Sequence, residues 1–418
     1  MKTKMTPLTE LLTTIVDNRG KTVPISDSGT PLIATNCIKH KSIYPTFDNV
    51  RYVNDEVMQS WFRAHPEPND IIFVNKGTPG RVCLVPEPVN FCFAQDMMGF
   101  RCDSEKIDYQ YLFAVLRSDF IQQKIENFHV GLVIPHFRKG DLDHIKIPRL
   151  SSRQLELAIG NLYLNISKKI ELNNQANSEL ENMAKTLYDY WFIQFDFPDT
   201  NGKPYKSSSG KMVYNEVLKR EIPEGWKQST LWDIANYYNG LAMQKYRSTG
   251  DDYLPVIKIR EMNNGISPDT EKARTDIPKA AIVDDGDLLF SWSATLDVKI
   301  WSQGKGALNQ HIFKVTSDDY PQSFYYFELM NYLSHFKMMA DLRKTTMGHI
   351  TLEHLKQANI VLPPIELIER IDEKLKPIFE HNLVLKKENN RLVELRDWLL
   401  PMLMNGQVTV GAALAASE

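Results

Sequence analysis

Along residues 159–187, apolar side chains and two amides recur in steps of four and three: Ile159, Tyr163, Ile166, Ile170, Asn173, Asn177, Leu180, Ala184 and Leu187. That spacing keeps one stripe on one side of a helix and predicts a coiled-coil seam. The stripe returns 212 residues later as Ile371, Leu375, Ile378, Asn382, Leu385, Asn389, Leu392, Arg396 and Leu399. Two helices with one register in the same chain can pair with each other. Each seam would be roughly 43 Å long at ~1.5 Å per residue. The seam amides Asn173, Asn177, Asn382 and Asn389 weaken such a pair but penalise wrong registers, because a buried amide needs a partner.

Outside the stripes the pattern changes to short strand-like apolar runs. PLIATNCI (31–38), DIIFVN (70–75), RVCLV (81–85) and NFCF (90–93), separated by Gly, Pro and Asn turns, predict a β-rich domain over residues 1–150. A helix is predicted over 108–128, then a polar loop (129–141) and an exit strand (144–148). The first long helix takes 151–198, ending in the aromatic run LYDYWFIQFDFP with Pro198 as its stop. The Gly-, Ser- and Lys-rich tract 199–221 predicts a linker. A second β-rich domain follows over 222–365, then a second long helix over 366–408 and a tail over 409–418.

The second half repeats the first in order. PVIKIREM (255–262) stands where PLIATNCI stood, GDLLFS (286–291) answers NDIIFV (69–74), and LNQHIFKV (308–315) answers AQDMMGF (94–100) with Gln310 for Gln95. The offset drifts from 224 through 217, 215 and 213 to 212 along the seam, as loop insertions in two copies of one unit would make it. The expected fold class is therefore α+β: two β-rich domains joined by two long antiparallel coiled-coil helices, with a pseudo-twofold internal repeat.

Composition changes this picture little. With 418 residues and 43% hydrophobic content the chain can bury more than one core. No apolar run reaches the length of a membrane span and no basic-then-apolar leader opens the chain, so a cytoplasmic location is expected. Cys37, Cys83, Cys92 and Cys102 have neither zinc-site nor disulfide-framework spacing and read as buried thiols. A net charge of -3 leaves any nucleic-acid contact to local basic loops.

A doubled domain held on paired helices presents two similar surfaces a fixed distance apart. A separation near ~40 Å is about one turn of B-DNA, which spans ~34–36 Å, so a bipartite duplex site is the natural ligand. The chain resembles the specificity subunit of type I restriction-modification systems over essentially its whole length. The resemblance is carried by KKIELNNQANSELENMAKTLYDYWFIQFDFP (168–198), IPEGW (222–226), GDLLFS (286–291), LNQHIF (308–313) and NNRLVELRDWLLPMLMNGQV (389–408), in that order. It implies two target-recognition domains, each reading one half of a split site. It also implies no catalytic centre or cofactor in this chain. Two modification subunits would carry S-adenosylmethionine and methylate adenine N6, and restriction subunits would use ATP and Mg.

The residues themselves agree with that division. There is no Asp/Asn-Pro-Pro-Phe/Tyr tetrapeptide for amino-methyl transfer and no phosphate-binding Gly-rich loop. His349, Glu353 and His354 have metal-ligating types, but the first half offers no counterpart, so a polar loop and helix start is the simpler account and no metal is expected.

Base edges and phosphates are met by Arg, Lys, Asn, Gln, Ser, Thr and His on loops. In the first half these are Arg19, Lys21, Thr22, Lys39, Lys76, Thr78, Arg81, His136, Arg138 and Lys139. In the second they are Gln244, Lys245, Arg247, Lys258, Arg260, Ser291, Ser293, Thr295, Lys299, Arg343, Lys344, Thr345 and Thr346. Each alone is as ordinary a solubilising residue as a DNA contact; the paired clusters carry the expectation. Because the paired loops differ in residue type, the two half-sites should differ in sequence. The aromatic run, including Trp191, and the cluster around Trp398 read as packing at the helix ends, with docking of a modification subunit as the alternative. The competing reading of the whole chain is a coiled-coil scaffold joining two protein-interaction domains, which would not bind DNA, whereas a DNA reader would bind with steep salt dependence.

Overall fold

The computed structural model describes residues 4–18, 22–128, 136–342, 349–405 and 407–408. The chain forms two compact units, Met1–Leu172 with Arg391–Glu418, and Asn173–Asn390.

In the first unit a four-stranded antiparallel sheet has the spatial order Leu12–Val16, Met97–Cys102, Ile71–Val74, Val82–Leu84. Its central strand Ile71–Val74 is buried on both faces. Alternation sends Ile71 and Phe73 into a cluster with the helices Tyr109–Arg117 and Asp119–Phe128. Ile72 and Val74 go the other way, against Ile33 and Phe93 of a second sheet. That second sheet runs Arg51–Val53, Thr30–Ile33, Cys92–Phe93, with the last pair parallel. Lys4–Pro7 pairs with Lys146–Arg149, so the first and last strands of the domain close it.

The second unit is built in the same order. Asn236–Asn239, Ile312–Thr316, Leu288–Ser291 and Asp297–Ile300 make the antiparallel sheet. Leu254–Ile257 lies parallel to Gly306–Leu308 in the second sheet, and Lys227–Thr230 closes against Asn359–Leu362. Leu288 and Phe290 face one cluster while Leu289 faces another, the same alternation as in the first unit.

The long helices are Arg153–Tyr188 and Ile365–Met404. Every predicted seam position is buried or half-buried. In the first unit Ile159, Tyr163 and Ile166 share a small cavity with Arg396, Leu399 and Leu403. In the second, Asn173 Nδ2 donates to Asn389 Oδ1 (2.9 Å), Asn389 Nδ2 to Asn174 Oδ1 (2.8 Å), and Asn382 Nδ2 to the Asn177 carbonyl (3.3 Å). In the second unit partner numbers fall as those of the first helix rise, so there the helices pack antiparallel.

Three local expectations are corrected. The helix predicted over 108–128 is two, because Ser118 turns extended and its hydroxyl bonds back to the Val115 carbonyl (2.6 Å). The first long helix does not run to Pro198: the α-helix ends at Tyr188, a π turn follows over Asp189–Ile193, and Phe195 reverses the chain at φ +67°. The 199–221 tract carries an ordered hairpin, Met212–Asn215 paired with Arg220–Pro223.

Tyr188, Trp191, Phe192, Phe195 and Phe197 are buried in the second unit's core. Trp226 of IPEGW receives Phe192, Phe195 and Phe197 at 5.1–5.7 Å between ring centres. At the end of the second helix Leu400, Leu403 and Met404 pack into the first unit's core, while Trp398 is 54% exposed. No described helix is long and apolar enough to cross a membrane.

Candidate nucleic-acid interface

In each unit the central strand runs into a hairpin loop, and two backbone hydrogen bonds lace that loop to two others. In the first unit Asn75 N donates to the Asp96 carbonyl (3.0 Å) and the Asn75 carbonyl accepts from Phe137 N (2.7 Å). In the second, Trp292 N donates to the His311 carbonyl (3.3 Å) and the Trp292 carbonyl accepts from Ile350 N (2.9 Å). These pairs are separated by 217, 215 and 213 positions, the drifts already visible in the sequence. A loop held this way loses little further entropy on meeting a ligand, and its side chains can differ while the backbone stays.

The hairpin loops are made by different means. In the first unit Gly77 and Gly80 take positive φ, and a Cβ on Gly80 would meet Gln122 Oε1 at 2.9 Å and Ile125 at 3.3 Å. In the second, Ala294 takes φ +56°, and the Ser291 hydroxyl accepts from Asp297 N (2.9 Å) and donates to the Thr295 carbonyl (2.7 Å).

The structure brings several first-half candidates together. Lys76 is exposed, pairs with Asp96 Oδ1 at 3.8 Å, and bridges His136 through the backbone. Thr78 lies exposed in the same loop. Asn75 Oδ1 is buried there with no donor among the described residues. Thr22 lines a shallow pocket with Arg51, Gln95 and Asp96. Arg138 and Lys139 are exposed beside this group, where Asp141 Oδ2 accepts from Arg138 N (2.8 Å). Lys39 pairs instead with Asp48 (3.5 Å). Arg81 is half-buried near His40, whose imidazole is held below its usual range by burial first and then by Arg117, Arg396 and Arg81. Arg19 and Lys21 lie outside the described residues.

In the second unit the cations are more fully engaged. Lys258 pairs with Glu271 (2.5 Å), Arg260 with buried Glu261 (2.7 Å) and Asp269 (2.6 Å), and Lys299 with Asp297 (3.2 Å). These carboxylates offset charge that a phosphate would otherwise feel. Ser291 is fully buried and holds the hairpin, and Ser293 is 4% exposed, so neither offers its hydroxyl to solvent. Thr295, Gln244, Lys245 and Arg247 are exposed. Arg343, Lys344, Thr345 and Thr346 lie outside the described residues.

Sequence reasoning passed over a cluster of rings at this loop. Trp292 Nε1 donates to Asn239 Oδ1 (3.0 Å), and the indole sits 5.6 Å from the His311 ring and 5.5 Å from the His349 ring. Ser293 Oγ lies 3.2 Å from His311 Nδ1. The signal was present in the offsets, which set Trp292 at Asn75, His311 at Asp96 and His349 at His136. Residue type alone gave no weight to Trp292, the ring that joins His311 and His349, and His349 was weighed only as a metal-ligating type.

The metal-ligating types drawn together in sequence have other partners. Glu353 pairs with Lys356 (2.7 Å) and His354 Nδ1 accepts from Thr351 N (3.0 Å), as at a helix start. Among the described residues no group of three His, Cys, Asp or Glu could hold a metal ion.

A family model described as the type I restriction modification DNA specificity domain matches residues 19–182 and again 223–394. The specificity subunit of the type I restriction enzyme MjaIX of Methanocaldococcus jannaschii is 22% identical over 352 residues, covering 81% of this chain and 78% of that protein. The HindI specificity subunit of Haemophilus influenzae is 24% identical, covering 79% and 84%. Among solved structures, the type I restriction-modification S subunit of M. genitalium superposes with a TM-score of 0.52 at 16% identity, covering 96% of each chain, and shares the fold.

Proposed function

Because the chain belongs to the type I restriction-modification DNA specificity family, and so recognises DNA sequence within such a system, we propose that each unit reads one half of a bipartite, asymmetric duplex site through its laced loop cluster. The observation that carries this reading is the twice-built lattice around Asn75 and Trp292, with one backbone pattern and two sets of side chains. Shared backbone fits a common task of entering a groove. Unlike side chains fit unlike bases.

The chain itself does no chemistry in this reading. Two modification subunits hold S-adenosylmethionine and transfer its methyl group to adenine N6, and restriction subunits add ATP- and Mg-dependent cleavage, in the cytoplasm where the DNA lies. Family membership and the missing methyl-transfer and phosphate-loop motifs support this.

Gel shifts of the full-length chain with random duplex at about 50 and 200 mM salt test the DNA reading. Contact with several phosphates should weaken affinity by roughly 10³-fold or more across that range. No shift at either salt concentration would mark a scaffold instead. Mapping N6-methyladenine in the source genome with and without this chain then gives the site, and one split motif should lose its methylation.

A further inference from the structure

The lattice makes positions of the two units directly comparable, and one pair differs in kind. Lys76 and Ser293 both follow the laced residue of the hairpin, and the carbonyls of Asp96 and His311 both accept from that residue's N–H. In the first unit this pair is a salt bridge, Lys76 Nζ to Asp96 Oδ1 at 3.8 Å, with side chains 45% and 39% exposed. In the second it is a Ser293 Oγ to His311 Nδ1 contact at 3.2 Å, set beside the Trp292 indole.

We infer that positions 76 and 96 in the first unit, and 293 and 311 in the second, are specificity-determining, with Lys76 and Asp96 reading one half-site and His311 the other. This rests on the reading of the laced loops as the DNA interface. Lys76 supplies a cationic donor suited to the O6 and N7 acceptors of guanine, and Asp96 an acceptor suited to the cytosine amino group. Their salt bridge is exposed and long, so exchanging it for base contacts gives up little. Ser293 is too buried to reach a base; it is a positioning residue that fixes the His311 ring through Nδ1 and leaves the Nε2 edge beside Gln310, 3.4 Å away. The side chains can differ between the units because the lacing bonds are made by backbone atoms of Asn75 and Trp292 and by the carbonyls of Asp96 and His311. Position 96, at φ +71°, is limited to residues such as Asp, Asn and His that tolerate the left-handed region.

The test selects duplexes from a pool randomised in both half-sites, using the full-length chain assembled with its modification subunits. His311→Asp with Ser293→Lys should change the bases enriched in one half, with preference for the original bases falling at least tenfold, while the other half stays as in the parent. Lys76→Ser with Asp96→His should do the converse. If either double variant melts markedly lower, His311→Asn and Lys76→Gln, which preserve size, give the same readout. Unchanged base preference in both halves, with normal affinity, overturns the inference and leaves the DNA reading intact. A parent chain that enriches no sequence at all overturns the reading beneath it. Loss of binding to every sequence would assign these residues to phosphate contact and also overturn the inference.

Discussion

Glu328 is buried in the second unit, where its Oε1 accepts the Tyr188 hydroxyl at 2.6 Å. Burial pushes its carboxyl up to about 7, opposed by the Tyr188 hydrogen bond and by Arg220. The unfolded chain holds this group near the usual 4.5. The folded value is the higher one, so the protonated acid favours the fold. Its contribution is complete below pH ~4.5, is lost as pH rises toward about 7, and does not change beyond that. At about 1.4 kcal/mol per unit the difference is a few kcal/mol. Denaturant midpoints measured from pH 4.5 to 8 should therefore decline through this window, and Glu328→Gln, which keeps an acceptor for Tyr188, should flatten the decline and raise stability at pH 8. An equal slope in the variant would place its origin elsewhere. Nothing in the local sequence around Glu328 signals this, because the partner is 140 residues away and burial is a property of the fold. The same limit explains Ser291 and Ser293, whose polar type suggested exposure while the hairpin took their hydroxyls inward.

Elements were more legible because periodicity is local. The seams and the strands Ile71–Val74 and Leu288–Ser291 stand where apolar spacing placed them. What spacing could not show were changes of direction set at single residues, such as the break at Ser118, whose hydroxyl bonds the Val115 carbonyl, and the reversal at Phe195, whose φ is positive. The amides within the seam give an element-scale prediction. Asn173 and Asn389 meet directly at 2.9 Å, and Asn173 also donates to Glu388 Oε2 at 2.7 Å. Asn389→Leu alone removes the acceptor of a buried donor and should cost ~1–3 kcal/mol before any gain from apolar burial. Asn173→Leu with Asn389→Leu removes both and should recover much of that loss. Thermal melts of the four chains of this double-mutant cycle should show a coupling of ~0.5–3 kcal/mol. Strict additivity would mean that the amides do not act as a pair. A disordered or polydisperse double variant would show that they serve alignment as well as energy.

At the scale of the whole chain, the division between the units falls inside both long helices, at 172/173 and at 390/391. The chain therefore passes between its two recognition units twice, each time within continuous helix. Two readers on one chain bind as a bivalent ligand, the second half-site being met at an effective concentration set by the link. Destroying one half-site in an otherwise matched duplex should then weaken binding by ~10²–10⁴-fold. The spacer distinguishes the kind of link. A flexible tether would accept insertions of one or two base pairs between intact half-sites with little loss, since effective concentration falls slowly with span. A helical link has no such reserve, and each inserted base pair also rotates one half-site about the duplex axis. Competition binding with duplexes whose spacer is lengthened or shortened by a single base pair should therefore show a loss comparable to deleting a half-site. Equal binding across several spacers would mean that the helices do not set the distance, whatever their seams suggest.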